Sequence, residues 1–251
     1  MVENIRHKYA TAHSKDSTSR QIGAEAYVKM KISYFFYLII SVILVGCNVN
    51  VNKEIKEINL LLDENNFAKA EDISLNLIQK GIINEEVYAA YGICLFEDSN
   101  FIESKIYFQK SIEMDSTNVK VLYLLGKSYH TIEMLDSAEI YFLKAIKNKG
   151  SEHLYIDYNE KSIIKDDMPM TEIRYARGLV RSEKENYKQA LEDFNFCIAQ
   201  SYRKQDSFFM LGFCYFNLGF IDIGCKAFKM ASDLGDLDAL KYCMQYCTGC
   251  I

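Results

Sequence analysis

The chain contains few of the residues that build tight turns. Proline occurs once and glycine twelve times in 251 residues. Because these two residues supply most of the special backbone angles of turns, their scarcity predicts long helices joined by simple connections. The sequence also lacks a glycine-rich loop of the kind that holds phosphate groups, so nothing in it indicates a nucleotide-binding enzyme.

Histidine, the commonest general acid and base of enzymes, is scarce in the chain beyond its apolar N-terminal segment. Beyond the apolar N-terminal segment only His130 and His153 remain. Neither has a nucleophile nearby in sequence that a helical period would bring onto the same face. The acidic runs "DENN", "NEEV" and "IKDDM" are typical of solvated helix ends and turns. We therefore expect no catalytic residues and no enzyme activity.

Positive charge is also scarce. Residues 1–47 hold six Lys or Arg and three Asp or Glu, which leaves 23 basic against 31 acidic residues beyond Cys47, a net charge of about −8. Nucleic acids and anionic lipid surfaces attract basic proteins. We expect no nucleic-acid partner, and membrane attachment would have to come from a covalent lipid.

One segment, by contrast, is strongly apolar. From Met30 the chain reads "MKISYFFYLIISVILVGC", in which Lys31 precedes the uncharged residues 32–46. Fifteen helical residues span about 22 Å, less than the roughly 30 Å hydrocarbon layer of a membrane. A basic start and a short apolar run are typical of an export signal, so residues 30–46 are predicted to be a cleaved signal peptide. An uncleaved anchor helix is the alternative.

The end of this segment, "LVGC" at residues 44–47, resembles the lipobox of bacterial lipoprotein precursors. In that family the cysteine thiol receives a diacylglyceryl group, and cleavage leaves the cysteine as the first residue. The resemblance implies that Cys47 is lipidated and that 47–52 form a short linker. It also implies a location in the bacterial cell envelope, with the outer membrane as the expected membrane. The polar residues 1–29 are either an over-extended start or a disordered cytoplasmic tail.

The rest of the chain repeats with a step of 34 residues. Gly92 and Gly126 are 34 residues apart, and so are Gly178 and Gly212. A small residue keeps the same step, and a phenylalanine follows it one helical turn later. The small residues are Ala70, Ser104, Ala138, Ala190 and Gly224, and the phenylalanines are Phe108, Phe142, Phe194 and Phe228. Three markers with one period predict stacked helix pairs, in which phenylalanine fills the gap between neighbouring pairs.

This pattern resembles the tetratricopeptide repeat (TPR), a helix–turn–helix unit that stacks into a right-handed superhelix. Residues 85–118, 119–152, 171–204 and 205–238 match its register, and residues 51–84 match in the second helix only. The proline that the family carries near the end of each repeat is absent. The resemblance implies an all-α, right-handed solenoid of about five helix–turn–helix units over residues 53–251.

Two segments depart from the 34-residue period. The distance from Gly126 to Gly178 exceeds one period by 18 residues, which predicts a loop inserted near 151–170, with a helical turn around 154–160 as an option. Beyond residue 238, "LKYCMQYC" presents Leu240, Met244 and Tyr246 as apolar residues. It predicts a capping helix at 239–248 that covers the last repeat.

In TPR arrays the first helix of each unit lines a concave surface that binds peptides. Carried onto this chain, the resemblance implies a groove for another protein or peptide. Its residues are Lys120, Tyr123, Lys127, His130, Tyr175, Phe209, Phe213 and Phe216. We expect the two tyrosines to be exposed, whereas the three phenylalanines are as well explained by burial under the capping helix. The clamp asparagines of chaperone-binding members are missing, which argues against a terminal carboxylate as the ligand.

The C-terminal run "CMQYCTGC" places cysteines at 243, 247 and 250. Its spacing resembles the cluster loop of radical S-adenosylmethionine enzymes. That family carries the loop near the start of a barrel of strands and helices, whereas here it ends a helical chain. We therefore predict no cofactor and no metal. Cysteines of an exported protein are typically core residues or disulfides, and either Cys243 or Cys247 could pair with Cys225 and tie the capping helix to the last repeat.

The sequence therefore predicts a lipid-anchored scaffold that binds another protein and catalyses nothing. A narrower alternative is an assembly or pilotin-like adaptor lipoprotein of the outer membrane. The alternative from another class is a metal or redox protein that uses the C-terminal cysteines.

Overall fold

The computed structural model describes residues 51–151 and 168–247, and these residues form helices and connections without any strand. The chain divides into two compact units, Met1–Glu54 and Ile55–Ile251. Of the first unit only residues 51–54 are described, and they are helical. The predicted polar extension, signal peptide and lipidated Cys47 lie outside the described residues. Within the described ranges no helix is both long and apolar enough to cross a membrane.

Helices follow one another in pairs. In chain order they are α1 (51–63), α2 (Phe67–Gln79), α3 (Glu85–Glu97), α4 (Phe101–Met114), α5 (Val119–Thr131), α6 (Leu135–Ser151), α7 (Met170–Glu183), α8 (Tyr187–Ala199), α9 (Lys204–Asn217), α10 (Ile221–Asp233) and α11 (Leu237–Tyr246). Odd-numbered helices up to α9 are the first helix of a pair and even-numbered helices the second. The predicted all-α solenoid of five helix pairs with a capping helix is confirmed.

Several helices begin at an asparagine. The side-chain oxygens of Asn84, Asn100 and Asn118 each accept a hydrogen bond from the backbone N–H three residues further on. This bond satisfies one of the N–H groups that the first turn of a helix leaves without a partner. Short polar connections are therefore sufficient to start α3, α4 and α5.

Within each pair, the turn between the two helices contains one residue in the left-handed conformation. These residues are Asn65, Ser99, Glu133, Glu185 and Gly219, with φ between 56° and 83°. The same hydrogen bond closes every such turn, for example from the Asn100 N–H to the Leu95 carbonyl at 2.8 Å. Four of the five positions use a residue other than glycine, so the turns form although glycine is scarce.

The four repeated glycines lie against the four repeated phenylalanines. A Cβ added at Gly92, Gly126, Gly178 or Gly212 would lie 2.7–2.9 Å from the phenylalanine ring of the same pair. Each ring is completely buried. The sequence placed these rings between neighbouring pairs, and that detail was wrong. Because the ring lies one turn beyond the small residue of the second helix, it reaches back onto the first helix of its own pair.

Buried apolar side chains form two clusters. The first extends from α3 to α7 and includes Phe108 and Phe142, and the second extends from α8 to α11 and includes Phe194 and Phe228. The border between the two clusters runs between α7 and α8. At this border Gly178 and the Tyr175 ring pack against Phe194, and charged side chains make further contacts.

A buried ionic network ties α6, α7 and α8 together. Arg177 Nε donates to Asp193 Oδ2 at 2.9 Å, and Arg181 Nη1 donates to the same oxygen at 3.1 Å. Arg181 Nε also donates to Glu139 Oε1 at 2.8 Å, and Lys184 Nζ donates to Glu139 Oε2 at 2.7 Å. Asp193 is fully buried. The two arginines provide the opposite charge that a buried carboxylate requires.

This network is not among the features predicted from the sequence, although the repeat register contains a signal for it. Three positions that hold apolar residues in other units hold charged residues in the unit that begins at residue 171. Arg177 replaces Tyr91, Leu125 and Leu211; Arg181 replaces Leu95, Tyr129 and Tyr215; Asp193 replaces Tyr107, Tyr141 and Ala227. Charge at core positions, balanced within one unit, indicates a buried ion pair.

The segment between α6 and α7 lies largely outside the described residues. Helix α6 continues to Ser151, which the sequence analysis placed at the start of the insertion. On the far side of this segment, Pro169 occupies the N-cap of α7 with φ −67°. The helical turn suggested for 154–160 falls in the segment that is not described.

Helix α11 begins two residues earlier than predicted because Asp236 caps it. The Asp236 carboxylate accepts hydrogen bonds from the backbone N–H groups of Asp238 and Ala239, both at 2.9 Å. The face of α11 that packs on the last pair carries Ala239 and Cys243, which are buried, whereas Met244 is 61% exposed. The prediction that Met244 belongs to the packed face was therefore wrong.

Candidate functional site

The first helices of the pairs form one continuous side of the array. Helix α5 contacts both α3 and α7, and α7 contacts α9, whereas the second helices of the described pairs do not approach one another to the same extent. Helices that lie closer together are on the inner side of a curved array. We call the surface formed by α3, α5, α7 and α9 the groove.

Two side-chain contacts bridge α5 and α7 across the groove. The Tyr123 hydroxyl donates a hydrogen bond to Glu172 Oε1 at 2.9 Å. Near the other end of the same helices, His130 Nε2 lies 2.8 Å from Glu183 Oε1. The side chains of His130 and Glu183 are 25% and 50% exposed, so this second bridge lies at the groove surface.

Between these bridges a lysine lies over two aromatic rings. The Nζ atom of Lys127 is 5.1 Å from the ring centre of Phe96 on α3 and 5.7 Å from that of Tyr123. Lys127 remains partly exposed. A cation over aromatic rings is held in place by the negative ring faces, so the charge is presented to solvent in a fixed position.

Tyr175 on α7 belongs to a second aromatic and cationic group at the edge of the groove. Its ring lies 6.2 Å from that of Tyr202, and the Arg203 guanidinium is 5.3 Å from the Tyr175 ring centre. Arg203 has φ 40°, the left-handed conformation, immediately before α9. Burial, together with the nearby Asp206 carboxylate, raises the pKa of Tyr175 to about 12, so its hydroxyl stays protonated.

Tyr123, expected to be exposed, is 4% exposed. Its ring packs 5.8 Å from that of Phe142, and the hydroxyl points to α7. Burial, with a further contribution from Glu172, raises the pKa of Tyr123 far above its usual range. The expectation of exposure was wrong because the position faces the neighbouring first helix. The Tyr123 side chain therefore lies beneath the surface of the groove. Lys120 is partly exposed at the start of α5.

The three phenylalanines of α9 are mostly covered. Phe209 packs against Tyr242, with ring centres 5.7 Å apart, and Phe216 packs against Tyr246 at 5.5 Å. Both tyrosines belong to α11. Phe213 packs against Tyr187 at 6.1 Å. Of the two explanations that the sequence left open for Phe209 and Phe216, the structure shows coverage by the capping helix. The site therefore concentrates between α5 and α7.

Most described cysteines are buried core residues. Cys94, Cys197 and Cys214 are at most 1% exposed. Burial raises the pKa of the Cys94 and Cys197 thiols to about 12, which suppresses the reactive thiolate. In the tail, the structure joins Cys225 to Cys247, one of the two pairings that the sequence left open.

The third tail cysteine of the described chain is not in this bond. The Cys243 sulfur lies 4.0 Å from the carbonyl oxygen of Cys225. Within residues 51–151 and 168–247 no group of three His, Cys, Asp or Glu side chains is arranged to hold a metal ion. Cys250 lies outside the described residues.

Comparison with known proteins identifies the repeat. Residues 119–151, which form α5 and α6, match the sequence profile of the tetratricopeptide repeat family. No curated protein matches the chain in sequence.

Solved structures with the same fold are numerous. The crystal structure of MamA protein is similar with a TM-score of 0.58 at 17% identity, over 77% of this chain and 96% of that one. The structure of YrrB, described as a TPR protein with an unusual peptide-binding site, is similar with a TM-score of 0.63 at 18% identity, over 76% of this chain and 90% of that one. The chain therefore has the solenoid fold of tetratricopeptide-repeat proteins, and its third helix pair carries that family's sequence pattern.

Proposed function

We propose that the protein binds an extended or helical segment of another protein in the groove, between α5 and α7. The observation that carries this proposal is the set of partly exposed side chains that cross-repeat contacts hold there: Lys127 over two rings, and His130 paired with Glu183. Side chains that are already fixed lose little conformational freedom on binding. The likeness to YrrB supports a peptide ligand.

The chemistry of the groove favours a segment with both charged and apolar side chains. Lys127 on α5 offers a positive charge and Glu183 on α7 a negative one, and the partly buried Leu179 lies one helical turn before Glu183. Polar groups at such a site fix the position of the ligand, and apolar contacts supply most of the affinity. A ligand of uniform charge would leave one of the two groove charges opposed by a like charge.

A site-specific photocrosslinker tests the proposal. A photoreactive phenylalanine analogue at position 179 should give a covalent adduct with a partner in solubilised membranes. The matched control carries the same analogue at position 140, since Ile140 is 51% exposed on α6, away from the groove. In the 179 background, Lys127→Glu should reduce the adduct roughly tenfold because it reverses a charge at the interface. Equal adducts at positions 179 and 140 would place the interaction elsewhere.

We further propose that the protein is anchored by a lipid on Cys47 and works in the bacterial cell envelope. The order of Lys31, the apolar run and the sequence ending at Cys47 supports this proposal. A fatty-acid analogue supplied to growing cells should label the protein, and Cys47→Ala should abolish the label. Labelling that persists in the variant would refute the anchor. The narrower role of an adaptor in outer-membrane assembly rests on the same anchor and groove and stays a prediction.

The proposed role is binding without catalysis. Burial raises the pKa of the Cys94 and Cys197 thiols to about 12, which disfavours the thiolate form that a nucleophile requires. The rival proposal of a metal protein needs thiolate ligands in the tail. The structure instead joins Cys225 and Cys247 to each other, so neither sulfur can serve as a thiolate ligand.

A further inference from the structure

The second helices of the pairs form the outer side of the array, opposite the groove. On two consecutive second helices, α4 and α6, apolar side chains lie exposed among lysines. We call six of these residues the outer patch: Lys105, Ile106, Lys110, Ile140, Leu143 and Lys144. Its three apolar members are 41–51% exposed. Single exposed apolar side chains are common on proteins, whereas three of them grouped with three lysines form a surface with a defined chemistry.

A stack of two tyrosine rings joins the two halves of the outer patch. Tyr129 of α5 contacts both helices: Gln109 Nε2 of α4 donates to its hydroxyl at 2.7 Å, and its ring stacks on that of Tyr141 of α6 with centres 5.3 Å apart. Lys105 Nζ lies 5.4 Å from the Tyr129 ring centre, and Lys144 Nζ lies 4.8 Å from that of Tyr141. Because both lysines contact one aromatic stack, the outer patch is a single surface.

The lysines of the outer patch are held by aromatic rings. Lys110 Nζ lies 4.7 Å from the ring centre of Tyr107 and 5.5 Å from that of Tyr88. Among the ion pairs of the described residues, none involves Lys105, Lys110 or Lys144. An aromatic ring positions an ammonium group without cancelling its charge. The outer patch therefore carries three positive charges that no carboxylate of the described chain neutralises, although the whole chain has a net charge of −5.

The outer patch is specific to two of the five helix pairs. Ile106 and Ile140 occupy the same position of consecutive units, and a lysine follows each of them four residues later. At the isoleucine position, the neighbouring second helices α2 and α8 carry exposed carboxylates, Asp72 and Glu192. These helices stack in the same array without the isoleucine and the lysine. The combination is therefore not required by the fold, and it indicates a contact made by the outer side of α4 and α6.

The shape and the chemistry of the outer patch fit an anionic membrane surface. Peptide and small-molecule sites enclose their ligand in a concave surface, whereas the outer side of a curved array is convex. At a membrane surface, lysines contact phosphate groups, apolar side chains enter the boundary between headgroups and acyl chains, and tyrosine is enriched at that depth. Acidic residues more than about 10 Å away are largely screened at physiological salt, so the local positive charge decides the contact.

We propose that the outer patch lays the array against a membrane that carries anionic phospholipids. Its lysines contact the lipid phosphates, and Ile106, Ile140 and Leu143 enter the headgroup layer. The proposal goes beyond peptide binding, since the groove lies on the opposite side and stays open to a partner. It is also independent of the lipid proposed for Cys47. That anchor would attach the chain to a membrane, whereas the outer patch determines which side of the array faces the membrane.

The test uses the full chain with an environment-sensitive fluorescent amino acid at position 102, one helical turn before Ile106 and outside the outer patch. Vesicles consist of phosphatidylcholine alone or mixed with anionic phosphatidylglycerol. Flotation measures attachment of the chain, and the fluorophore measures contact at α4. On anionic vesicles only, the emission should shift to the blue and lipid-linked quenchers should reduce it, and high salt should reverse both changes. The matched control carries the fluorophore at the equivalent position 222, on the exposed side of α10, where neither change should occur.

Charge reversal within the outer patch completes the test. With the fluorophore at position 102, Lys110→Glu combined with Lys144→Glu should lower the ratio of docked to free fluorophore at least about tenfold on anionic vesicles, since each lysine near such a surface contributes roughly fivefold in affinity. Lys188→Glu combined with Lys226→Glu makes the same change of charge on α8 and α10 and should leave the ratio unchanged. All four lysines except those of the control pair belong to the outer patch, all four are exposed, and circular dichroism verifies folding. The proposal is overturned by equal emission at position 102 on both vesicle types, the result that a protein partner for this face would give. It is also overturned by an unchanged ratio in the Lys110 and Lys144 variant.

Discussion

At each repeated glycine, the neighbouring phenylalanine ring occupies the space where a side chain would begin. The rings of Phe108, Phe142, Phe194 and Phe228 are fully buried, so they cannot move into solvent to make room. Close packing of this kind fixes the distance between the two helices of a pair to within a methyl group. The glycines are therefore required by their neighbours and not by backbone conformation.

We expect Gly126→Ala to destabilise the protein by about 1–3 kcal/mol, because the new methyl group would lie 2.7 Å from a carbon of the Phe142 ring. The midpoint of urea unfolding measures the loss. The matched control is Gly150→Ala, where nothing lies within 4 Å of the added Cβ and a helical alanine should be neutral or slightly stabilising. Equal midpoints for the two variants would show that the ring can move away.

The ionic network between α6 and α8 makes the stability depend on pH. Burial would raise the pKa of Glu139, but hydrogen bonds from Lys184 and Arg181 outweigh it, and the pKa lies below its usual 4.5. A carboxylate whose pKa is lowered by folding stabilises the folded state above the unfolded pKa. That contribution is lost as the pH falls through the folded pKa.

Glu139→Gln should therefore be less stable than the wild type at pH 7, and the difference should shrink as the pH falls below about 4.5. Thermal melts at a series of pH values measure it. Asp136→Asn is the control, since Asp136 also contacts Lys184 but its side chain is 89% exposed, and it should have little effect at any pH. A constant difference between pH 7 and pH 3 would contradict the assignment.

At the scale of the helix pair, the turn between the two helices is the element that stores strain. Four of the five turns place a residue other than glycine in the left-handed conformation: Asn65, Ser99, Glu133 and Glu185. This conformation costs roughly 1–2 kcal/mol for Ser99, Glu133 and Glu185, whereas asparagine adopts it more readily. The fifth turn uses Gly219 and avoids this cost. The same backbone hydrogen bond closes all five turns, so the turn geometry is uniform even where the left-handed residue is strained.

Replacing Glu133 by glycine should accordingly raise the unfolding free energy by about 1 kcal/mol, since φ is 61° at this residue. Denaturant titration is the measurement. Lys147→Gly, at an exposed position within α6, should have the opposite sign, a loss of about 1 kcal/mol, because glycine weakens a helix interior. If Glu133→Gly and Lys147→Gly both lower the unfolding free energy, the turn at Glu133 is not strained.

At the scale of the whole molecule, the two apolar clusters should unfold as separate blocks. In stacked repeats each unit contacts only its neighbours, so stability is local. Phe228→Ala should increase hydrogen exchange throughout α8–α11 and leave α3–α5 protected, because the deleted ring, which costs about 3–5 kcal/mol, belongs to the second cluster only. Phe142→Ala, in the first cluster, should give the reverse pattern. Uniform loss of protection in either variant would indicate a single cooperative block.

The sequence was sufficient to predict those structural features that recur along the chain. A 34-residue period with three markers predicts the helix pairs and their register, because every pair repeats the same local packing. The side that lines the groove is implied by the resemblance to tetratricopeptide repeats. The burial of Tyr123 and the Arg177–Asp193 contact are not periodic. They depend on which residues of different helices meet. The packed face of α11 was misjudged for a related reason, since a single terminal helix has no repeat against which to align it.

The Asp193 network also limits how the gene for this protein could be rearranged. Four helix pairs carry the same glycine–phenylalanine contact within the pair, so a duplication or deletion of 34 residues would leave that contact intact. The pair formed by α7 and α8 is different, because Arg181 on α7 is neutralised partly by Glu139 on α6. Placed after a second helix other than α2, where Glu71 holds the equivalent position, Arg181 would lose that acceptor. Recombination among such arrays should therefore transfer α6, α7 and α8 together.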